Sequence, residues 1–497
     1  MMRSPSLAIA AGNKSGAEAA AGVARAGGNA VDACLAAGIM AWVAEPCMAS
    51  IGGAGFIAVR SPDGGVEIFD GNSAMPHTAP DVRGQGIERI FAPNYSDGLY
   101  TGVGPGSVAV PGVLAGMRAV WERHGRIEWS SLFADAITAA RDGIAFPKTS
   151  AYYVWATWDE IWSLFPSARA LFAPEGNLLQ EGDRLVQRDL GDTLEAVATE
   201  GPEVLYSGSV AASIADALRS AGGFLTLEDL RRYGAVVRSP VATDVFGWRV
   251  ESNPPPASGG TLLTQMLTML ERADLTDPTE RLRALVEAQR AATVTEGERH
   301  DDPADVSGAV QEGISQPPPG SASTTHSSAA DADGYVCSLT ESSGYGAGLI
   351  VEGVFLNNSL GEEELNPLGM HRLAPGSRCH SNMAPTIATG PELVVGIGSP
   401  GAIRIVGAIA QTLLRLALDG DSLAEAVAAP RAHLDARAQG ETLCYEPGLP
   451  GENLGYLERR YDDLHMYFGG VQVASVDRSG HVDAAHDPRR SGASALI

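Results

Sequence analysis

The chain has 497 residues, of which 44% are hydrophobic and 19% charged, as in a globular protein with a large core. Its formal charge of −25 excludes nucleic-acid binding as a main function, because phosphate backbones require a positive surface. No apolar run reaches the roughly 18 residues of a membrane span. The N-terminal apolar stretch, Leu7–Ala11, is too short for a secretory signal, so the sequence predicts a cytoplasmic protein.

The five cysteines are scattered along the chain and form no C-x-x-C pair. We therefore expect reduced thiols rather than disulfides or a zinc site, and the sequence implies no metal and no organic cofactor.

The N-terminal region alternates helical and strand patterns. Asn29 and Asp32 have the spacing of a helix cap, and the helix that follows runs through Ala33–Val43. An Asp-Gly-Gly turn then joins two short apolar runs, Phe56–Val59 and Val66–Phe69, which predicts a β-hairpin.

Residues 107–300 have mainly helical patterns. Leu132–Asp142 is periodic, and Thr226 begins a capping pattern. The segment Pro254–Gly260 predicts a rigid loop that leads into an apolar helix, Thr261–Leu270.

The sharpest change of composition lies at residues 301–323, which are rich in proline, glycine and serine. This segment cannot build a core, and we expect an exposed, flexible linker. Directly after it, Thr324–Ala330 and Tyr335–Thr340 flank an Asp-Gly turn and predict a tight hairpin. Further on, the strand Leu393–Ile397 ends in a glycine-rich turn, residues 398–402, before a second apolar helix.

Two of these features could carry chemistry. If the chain were cut between Ser323 and Thr324, Thr324 would gain an α-amine that could act as a base for its own hydroxyl nucleophile. The alternative is that Thr324 merely begins a strand, where threonine is common. The turn at Gly401 and Ala402 could present backbone N–H groups to an oxyanion.

Ten short motifs, in this order, resemble those of the γ-glutamyltranspeptidases, a family of autoprocessing N-terminal-nucleophile (Ntn) hydrolases. They are Gly27–Ala33, Gly52–Phe56, Val110–Gly116, Ala140–Gly143, Pro254–Gly260, Thr324–Ser327, Leu356–Asn358, Met383–Thr386, Gly398–Gly401 and Asp487–Arg489.

The resemblance implies an α+β fold, the four-layer αββα sandwich of Ntn hydrolases. It implies a proenzyme that cuts itself into a large subunit, residues 1–323, and a small subunit, residues 324–497, which together form one intertwined domain. Thr324 would be the catalytic nucleophile, and Gly401 and Ala402 the oxyanion-hole donors, where the family usually has two glycines. The implied reaction transfers an acyl group from a small molecule to water or an amine.

The departures from the family pattern concern the groups that bind substrate. The family arginine that holds the glutamyl α-carboxylate falls at Asp81 or Pro80, and Arg83 could replace it only if the loop register moves. Substrate-binding positions that resemble those of the family are Ser342, Gly344, Ser359, Glu362, Ser381 and Asn382, of which only Ser381 keeps the family residue.

The segment between Glu362 and Ser381 is also shorter than the covering loop of lidded members, which predicts an open site. We therefore expect a substrate other than glutathione, with relatives among cephalosporin-type acylases and enzymes of antibiotic pathways that cut an acyl carbon–carbon bond. The alternatives are an ordinary γ-glutamyltransferase and an inactive homologue that acts as a binding protein.

Three other positions have more than one interpretation. His326 is expected to be structural, and the alternative is that it contacts the site. Arg404 could hold a carboxylate or form a structural ion pair. Glu362–Glu364 could bind a cation, but a solvated acidic loop is the preferred interpretation.

Overall fold

The computed structural model describes residues 5–77, 84–95, 98–299, 323–366, 368–435, 440–451 and 454–497. Its core is a pair of antiparallel sheets that face each other. The strands are β1 (Leu7–Ala11), β2 (Ala54–Arg60), β3 (Val66–Gly71), β4 (Glu88–Ala92), β5 (Leu99–Val103), β6 (Ile144–Ala145), β7 (Arg184–Leu185), β8 (Val236–Arg238), β9 (Val241–Val245), β10 (Trp248–Ser252), β11 (Thr324–Asp331), β12 (Val336–Ser342), β13 (Ile350–Val351), β14 (Val354–Phe355), β15 (Thr386–Thr389), β16 (Leu393–Gly398), β17 (Ala432–Asp435), β18 (Thr442–Tyr445), β19 (Leu457–Arg460), β20 (Gln472–Asp477), β21 (Val482–His486) and β22 (Ala493–Leu496).

Helices cover the outer faces of both sheets and fill the connections. They are α1 (Lys14–Arg25), α2 (Ala30–Ala44), α3 (Val113–His124), α4 (Ala134–Asp142), α5 (Lys148–Ala156), α6 (Pro166–Phe172), α7 (Arg188–Glu200), α8 (Glu203–Tyr206), α9 (Ser209–Ser220), α10 (Leu227–Arg231), α11 (Gly259–Glu271), α12 (Pro278–Arg299), α13 (Arg404–Leu414) and α14 (Leu423–Ala428). Among the described residues, none of these helices is both long and apolar enough to cross a membrane.

The first sheet has the strand order β22-β1-β11-β12-β2-β3-β8, and the second has the order β21-β20-β16-β15-β10-β9. Strands β11 and β12 pack against β16 and β20 across the interface between the sheets. Helices α1, α2 and α3 cover the first sheet, and α11, α13 and α14 cover the second. This arrangement is the expected αββα sandwich and confirms the predicted fold class.

The local patterns that predict helix starts are confirmed. Asn29 caps α2 in a capping box with Asp32, and Thr226 caps α10 in the same way. A second carboxylate, Asp331 at the end of β11, accepts a hydrogen bond from the N–H of Ala30 at 2.8 Å. Helix α2 is therefore fixed to the strand that begins at Thr324.

Both sheets contain strands from either side of residue 324. In the first sheet, β11 lies between β1 and β12, and in the second sheet β10 pairs with β15. Residue 324 thus begins an interior strand of the larger sheet. The predicted linker lies outside the described residues except for Ser323.

Candidate active site

Thr324 lies at the first position of β11, directly opposite Ser342 on β12. It is 5% exposed, and its Oγ1 donates to Ser342 Oγ at 3.3 Å. The antiparallel register therefore places two hydroxyls side by side, at the start of β11 and the end of β12.

Ser342 also contacts the residue before Thr324. Its Oγ donates to the carbonyl oxygen of Ser323 at 2.8 Å and accepts from the N–H of Gly344 at 3.0 Å. The carbonyl of the Ser323–Thr324 peptide bond is therefore polarised by a hydroxyl donor, next to the hydroxyl that could attack it.

Arg490 holds the backbone of Thr324 from the other side. Its Nη1 donates to the carbonyl oxygen of Thr324 at 3.1 Å, and burial lowers the pKa of its guanidinium. Sequence analysis did not identify Arg490, although it directly follows Asp487–Arg489, the last of the ten motifs. Its position next to that motif could have indicated a role at the site.

The opposite face of the strand is fixed by Glu45. Thr325 Oγ1 donates to Glu45 Oε2 at 2.7 Å, and Asn13 Nδ2 donates to the same oxygen at 2.9 Å. All three side chains are buried. This contact gives a structural role to the glutamate that follows α2, to which sequence analysis assigned none.

The glycine-rich turn after β16 brings Ala402 to the same pocket as Thr324. Gly401 has a φ of 137° and Ala402 a φ of 51°, so both backbones lie in the region that favours glycine. Within the described residues, neither N–H has a hydrogen-bond acceptor, while both carbonyls accept from the start of α13. N–H groups without an acceptor at a helix start can stabilise an oxyanion, and of these two residues Ala402 lines the pocket while Gly401 does not.

The pocket around Thr324 contains about 480 Å³ of empty space when the open solvent at its mouth is included. Nearly all of the predicted site residues line this pocket. Its walls are Ala54, Asn72, Ser73, Ser323, Thr324, Ser342, Gly344, Ser359, Glu362, Glu364, Leu365, His380, Ser381, Asn382, Met383, Ala402 and Ile405. Of these, Asn72, Ser73, Glu364 and His380 are polar residues that sequence analysis did not assign to the site.

One side of this pocket is acidic. Glu362 is 7% exposed, and burial together with the nearby Glu364 raises the pKa of its carboxyl well above the usual range. The side chain of Glu363 instead pairs with Arg89 outside the pocket. The preferred interpretation of a solvated acidic loop is therefore wrong, because two of the three carboxyls line a buried wall.

The side chain of Glu362 lies against Gly344, in space that a side chain at position 344 would need. Gly344 has a φ of 64°, and a Cβ there would lie 2.5 Å from Glu362 Oε1 and closer still to Asn358 Oδ1. A side chain at this position therefore could not enter without moving Asn358 and Glu362. The carboxylate of Glu362 lies in the space that glycine leaves.

The remaining predicted residues are held by local hydrogen bonds. The carbonyl oxygen of Ser359 accepts from Asn366 Nδ2 at 2.8 Å, which closes the loop that contains Glu362. Ser258 donates to the carbonyl of Ser381 at 3.1 Å and to Asn382 Oδ1 at 2.9 Å. The segment that contains the predicted rigid loop thus supports the pocket wall at residues 381 and 382.

His326 is structural. It is buried between the sheets, where its Nδ1 contacts Thr340 Oγ1 and its Nε2 contacts Ser328 Oγ, both at 2.8 Å. Burial lowers its pKa to about 3, so the ring stays neutral. It does not line the pocket.

Arg404 is 2% exposed, and its guanidinium stacks 4.3 Å over the ring of Tyr467. It borders a second pocket rather than the one at Thr324. In the described part of the chain, no group of three or more His, Cys, Asp or Glu side chains could hold a metal ion. Pro80, Asp81 and Arg83, the candidates for the family arginine, lie outside the described residues.

Comparisons with known proteins agree with this geometry. A family model described as gamma-glutamyltranspeptidase matches residues 16–497. The chain is 30% identical to the glutathione hydrolase proenzyme of Escherichia coli K12, over 93% of this chain and 87% of that protein. It is 31% identical to the acylase ACY 1 proenzyme of Pseudomonas sp. strain V22, over 86% and 81%. The crystal structure of a cephalosporin acylase from Bacillus halodurans has a similar fold, with a TM-score of 0.80, 22% identity and coverage of 99% and 96%.

Proposed function

The chain belongs to the γ-glutamyltranspeptidase family and is an enzyme of the Ntn-hydrolase type, and on that premise we propose that it is an autoprocessing acyl hydrolase or acyltransferase with Thr324 as nucleophile. One observation carries the proposal: Ser342 joins the Thr324 hydroxyl to the Ser323 carbonyl in a pocket bordered by Ala402. Because the chain is an enzyme, we do not retain the hypothesis of an inactive homologue that acts as a binding protein.

Processing begins with attack of Thr324 Oγ1 on the carbonyl carbon of Ser323. The C–N bond breaks as the C–O bond forms, the hydroxyl proton passes to the departing amine, and an ester remains. Water then hydrolyses the ester, which leaves the Ser323 carboxylate and the free amine and hydroxyl of Thr324. Ser342 Oγ stabilises the charge that develops on the Ser323 oxygen in the first step.

Turnover reuses the same atoms. The freed α-amine takes the proton of Thr324 Oγ1, which attacks the acyl carbon of the substrate. The N–H groups of Gly401 and Ala402 stabilise the oxyanion, and the leaving group departs with the proton. Water or an amine then takes the acyl group and restores the hydroxyl.

Processing is tested directly on the purified protein. We expect two fragments on a denaturing gel and a new N-terminus at Thr324 by mass spectrometry. Thr324→Ala should abolish both cutting and turnover, whereas Thr324→Ser should retain some of each because it keeps the amine and a hydroxyl. A fully active enzyme that stays one chain would show that the proposal is wrong.

The substrate is a small acyl compound other than glutathione. The changed residues at the acidic wall, Gly344 and Glu362, support this, as does the similarity to a relative named as an acylase. The proposal extends to specialised metabolism, including antibiotic pathways, and to either an amide or an acyl carbon–carbon bond as the bond that is cut.

Steady-state kinetics test the substrate. We expect weak turnover of glutathione and of γ-glutamyl-p-nitroanilide by the processed enzyme. A kcat/KM for glutathione of roughly 10⁴ M⁻¹s⁻¹ or above, within the ordinary enzyme range, would instead support the alternative of a plain γ-glutamyltransferase.

A further inference from the structure

A buried polar cluster lies behind the nucleophile and has no part in the mechanism above. We call it the Glu45 cluster and define it as Asn13, Glu45 and Thr325, each 2% exposed or less. Thr325 follows the nucleophile, and strand alternation turns its side chain to the face of the first sheet opposite that of Thr324. The cluster lies outside the pocket at Thr324, so it can act on the reaction only through the backbone.

The carboxylate of Glu45 is fixed by two helices. Its backbone N–H donates to the carbonyl of Ala41 in α2 at 2.7 Å. Its Oε2 accepts from Asn13 Nδ2 at 2.9 Å, and Asn13 Oδ1 caps α1 by accepting from the N–H of Gly16 at 2.7 Å. Asn13 cannot turn its amide around without losing that cap. Thr325 Oγ1 thus donates at 2.7 Å to an acceptor whose position is set by the rest of the fold.

Glu45 is the charged member of two buried carboxyls that interact. Glu341, directly opposite Thr325 on β12, accepts from Trp42 Nε1 at 2.7 Å, and its other oxygen has no hydrogen-bond partner among the described residues. Burial and the nearby Glu45 raise the pKa of Glu341 well above its usual range. Glu45 instead has two donors, and Arg490 lies within electrostatic range of it. The contact from Thr325 is therefore a hydrogen bond to a carboxylate, which is stronger than one to a neutral acceptor.

The start of β11 is paired with a strand on one side only. Strand β12 pairs with β11 as far as Thr324, whereas β1 ends opposite Ser327. Residues 324–326 thus lie beyond the end of β1. On that side, the N–H of Gly12 donates to the carbonyl of His326 at 3.1 Å, which still leaves the first two residues without a neighbouring strand. Their alignment therefore depends more on side-chain contacts than that of the residues that follow.

The proposed cut removes a further constraint from this end of the strand. In the uncut chain, the peptide bond to Ser323 anchors Thr324. After cleavage Thr324 is a chain end, and chain ends fray unless they are tied down. Arg490 then holds the carbonyl of Thr324 at 3.1 Å. Glu45 holds the side chain of Thr325. Both contacts act on the 324–325 peptide unit, which sets the direction of the nucleophile.

We propose that Glu45 is a positioning residue that acts through Thr325 to keep the nucleophile aligned once the chain is cut. The inference rests on the proposed role of Thr324 and extends it. A displacement of about 1 Å can cost on the order of 100-fold in rate, so loss of this contact is expected to slow the chemical step rather than weaken binding. Self-cleavage should slow by less than about threefold, because Ser323 still anchors the strand at that stage.

Acylation of the processed enzyme by p-nitrophenyl acetate tests the proposal, since a small activated ester needs no specific pocket. The rate with Thr324→Ala, which lacks the nucleophile, is subtracted as background. We expect Thr325→Val, which keeps the shape and removes the donor, to lower the limiting acylation rate about tenfold and to leave the half-saturating concentration within about twofold. Thr325→Ser, which keeps the hydroxyl, should recover most of the rate.

Thr193→Val is the matched control. Thr193 is 4% exposed and donates to the carbonyl of Glu352 at 2.7 Å, the same length as the contact from Thr325, but it lies in α7 outside the pocket. Its variant should leave the acylation rate unchanged. Glu45→Gln keeps the shape of Glu45 and leaves a neutral acceptor, so it should lower the rate several-fold even if Thr325→Val fails to fold.

Two outcomes would overturn the inference: an acylation rate that Thr325→Val or Glu45→Gln leaves unchanged, or equal losses in Thr325→Val and Thr325→Ser, which would indicate packing rather than the hydrogen bond. The two proposals fail separately. A protein that is never cut at Thr324 contradicts the proposed function. A cut protein that is acylated at Thr324 whether or not Thr325 can donate contradicts this inference alone.

Discussion

The hydroxyl of Ser342 donates to the carbonyl oxygen of Ser323 at 2.8 Å, across the bond that we propose the protein cuts. The hydroxyl oxygen of Ser342 also accepts a hydrogen bond from Thr324 Oγ1 at 3.3 Å. In the uncut chain, one serine thus contacts both the electrophile and the nucleophile of the cleavage step. This contact depends on the exact β11–β12 register, because a shift by one residue would turn Ser342 to the opposite face.

Ser342→Ala is expected to slow self-cleavage at least about tenfold, because the developing oxyanion loses a donor. Ser342→Thr should keep most of the rate. The measurement is the fraction of cut chain against time after a short pulse of synthesis. Ser338→Ala is the control, since that buried hydroxyl on the same strand donates to Ile397 instead, at 3.0 Å. Equal rates for Ser342→Ala and the unchanged protein would remove Ser342 from the cleavage step.

Gly344→Asn is expected to impair turnover, because its side chain would meet both Asn358 Oδ1 and Glu362 Oε1. The backbone itself is not the obstacle, since asparagine tolerates a φ of 64° better than most residues. The double variant Gly344→Asn/Glu362→Asp should recover part of the activity and raise hydrolysis of γ-glutamyl-p-nitroanilide, because the shorter side chain removes one of the two contacts while Asn358 must still move. Kinetics of both variants and of Glu362→Asp alone check this. A double variant no better than Gly344→Asn would contradict the proposed fit.

Ala402→Gly is expected to stabilise the protein by up to about 1 kcal/mol. Relief of the left-handed conformation at φ 51° gains about 1–2 kcal/mol, and the greater freedom of glycine in the unfolded chain offsets part of it. In a chain of this length the rise in Tm is about 1 °C, measured by differential scanning calorimetry. Turnover should persist because the N–H remains. Ala408→Gly inside α13 should lower Tm, and a similar fall for Ala402→Gly would argue against strain at the turn.

Glu362→Gln is expected to change how stability depends on pH. The raised pKa means that the folded protein keeps a proton that the unfolded chain releases at lower pH, so this carboxyl weakens folding as pH rises above its unfolded pKa of about 4.3. Glutamine does not titrate, so the Glu362→Gln variant does not lose this stability as pH rises. The Tm advantage of Glu362→Gln should therefore grow from pH 5 to pH 8. Glu363→Gln, in the same loop but outside the pocket, should show no such growth.

Local sequence patterns predicted much of the fold because their causes are local. The capping boxes at Asn29 and Thr226 and the hairpin at Thr324 each depend on residues a few positions apart. The αββα layers and the pocket residues came from resemblance to a family. Arg490 and Glu45 were missed because they contact the Thr324 strand across 166 and 280 residues, which no local pattern records.

The left-handed conformation of Ala402 is another feature that could not be predicted from the sequence. Sequence analysis assigned Ala402 to a position where the family usually has glycine but predicted no backbone conformation, and the structure gives a φ of 51°, where glycine is preferred. The buried state of Glu362 was likewise hidden, because a run of three glutamates favours a solvated loop. Its burial follows from the missing side chain of Gly344, which lies 18 positions earlier in the chain.

Each of the two sheets contains strands from both sides of residue 324, and this determines whether the fragments could separate after a cut. In the first sheet, β11 hydrogen-bonds to β1 on one side, and in the second, β15 hydrogen-bonds to β10. Separating the pieces would break main-chain ladders in both sheets and expose the core between them. The two fragments would therefore stay bound to each other and would not exchange between copies of the protein. Once separated, neither fragment would keep a folded structure.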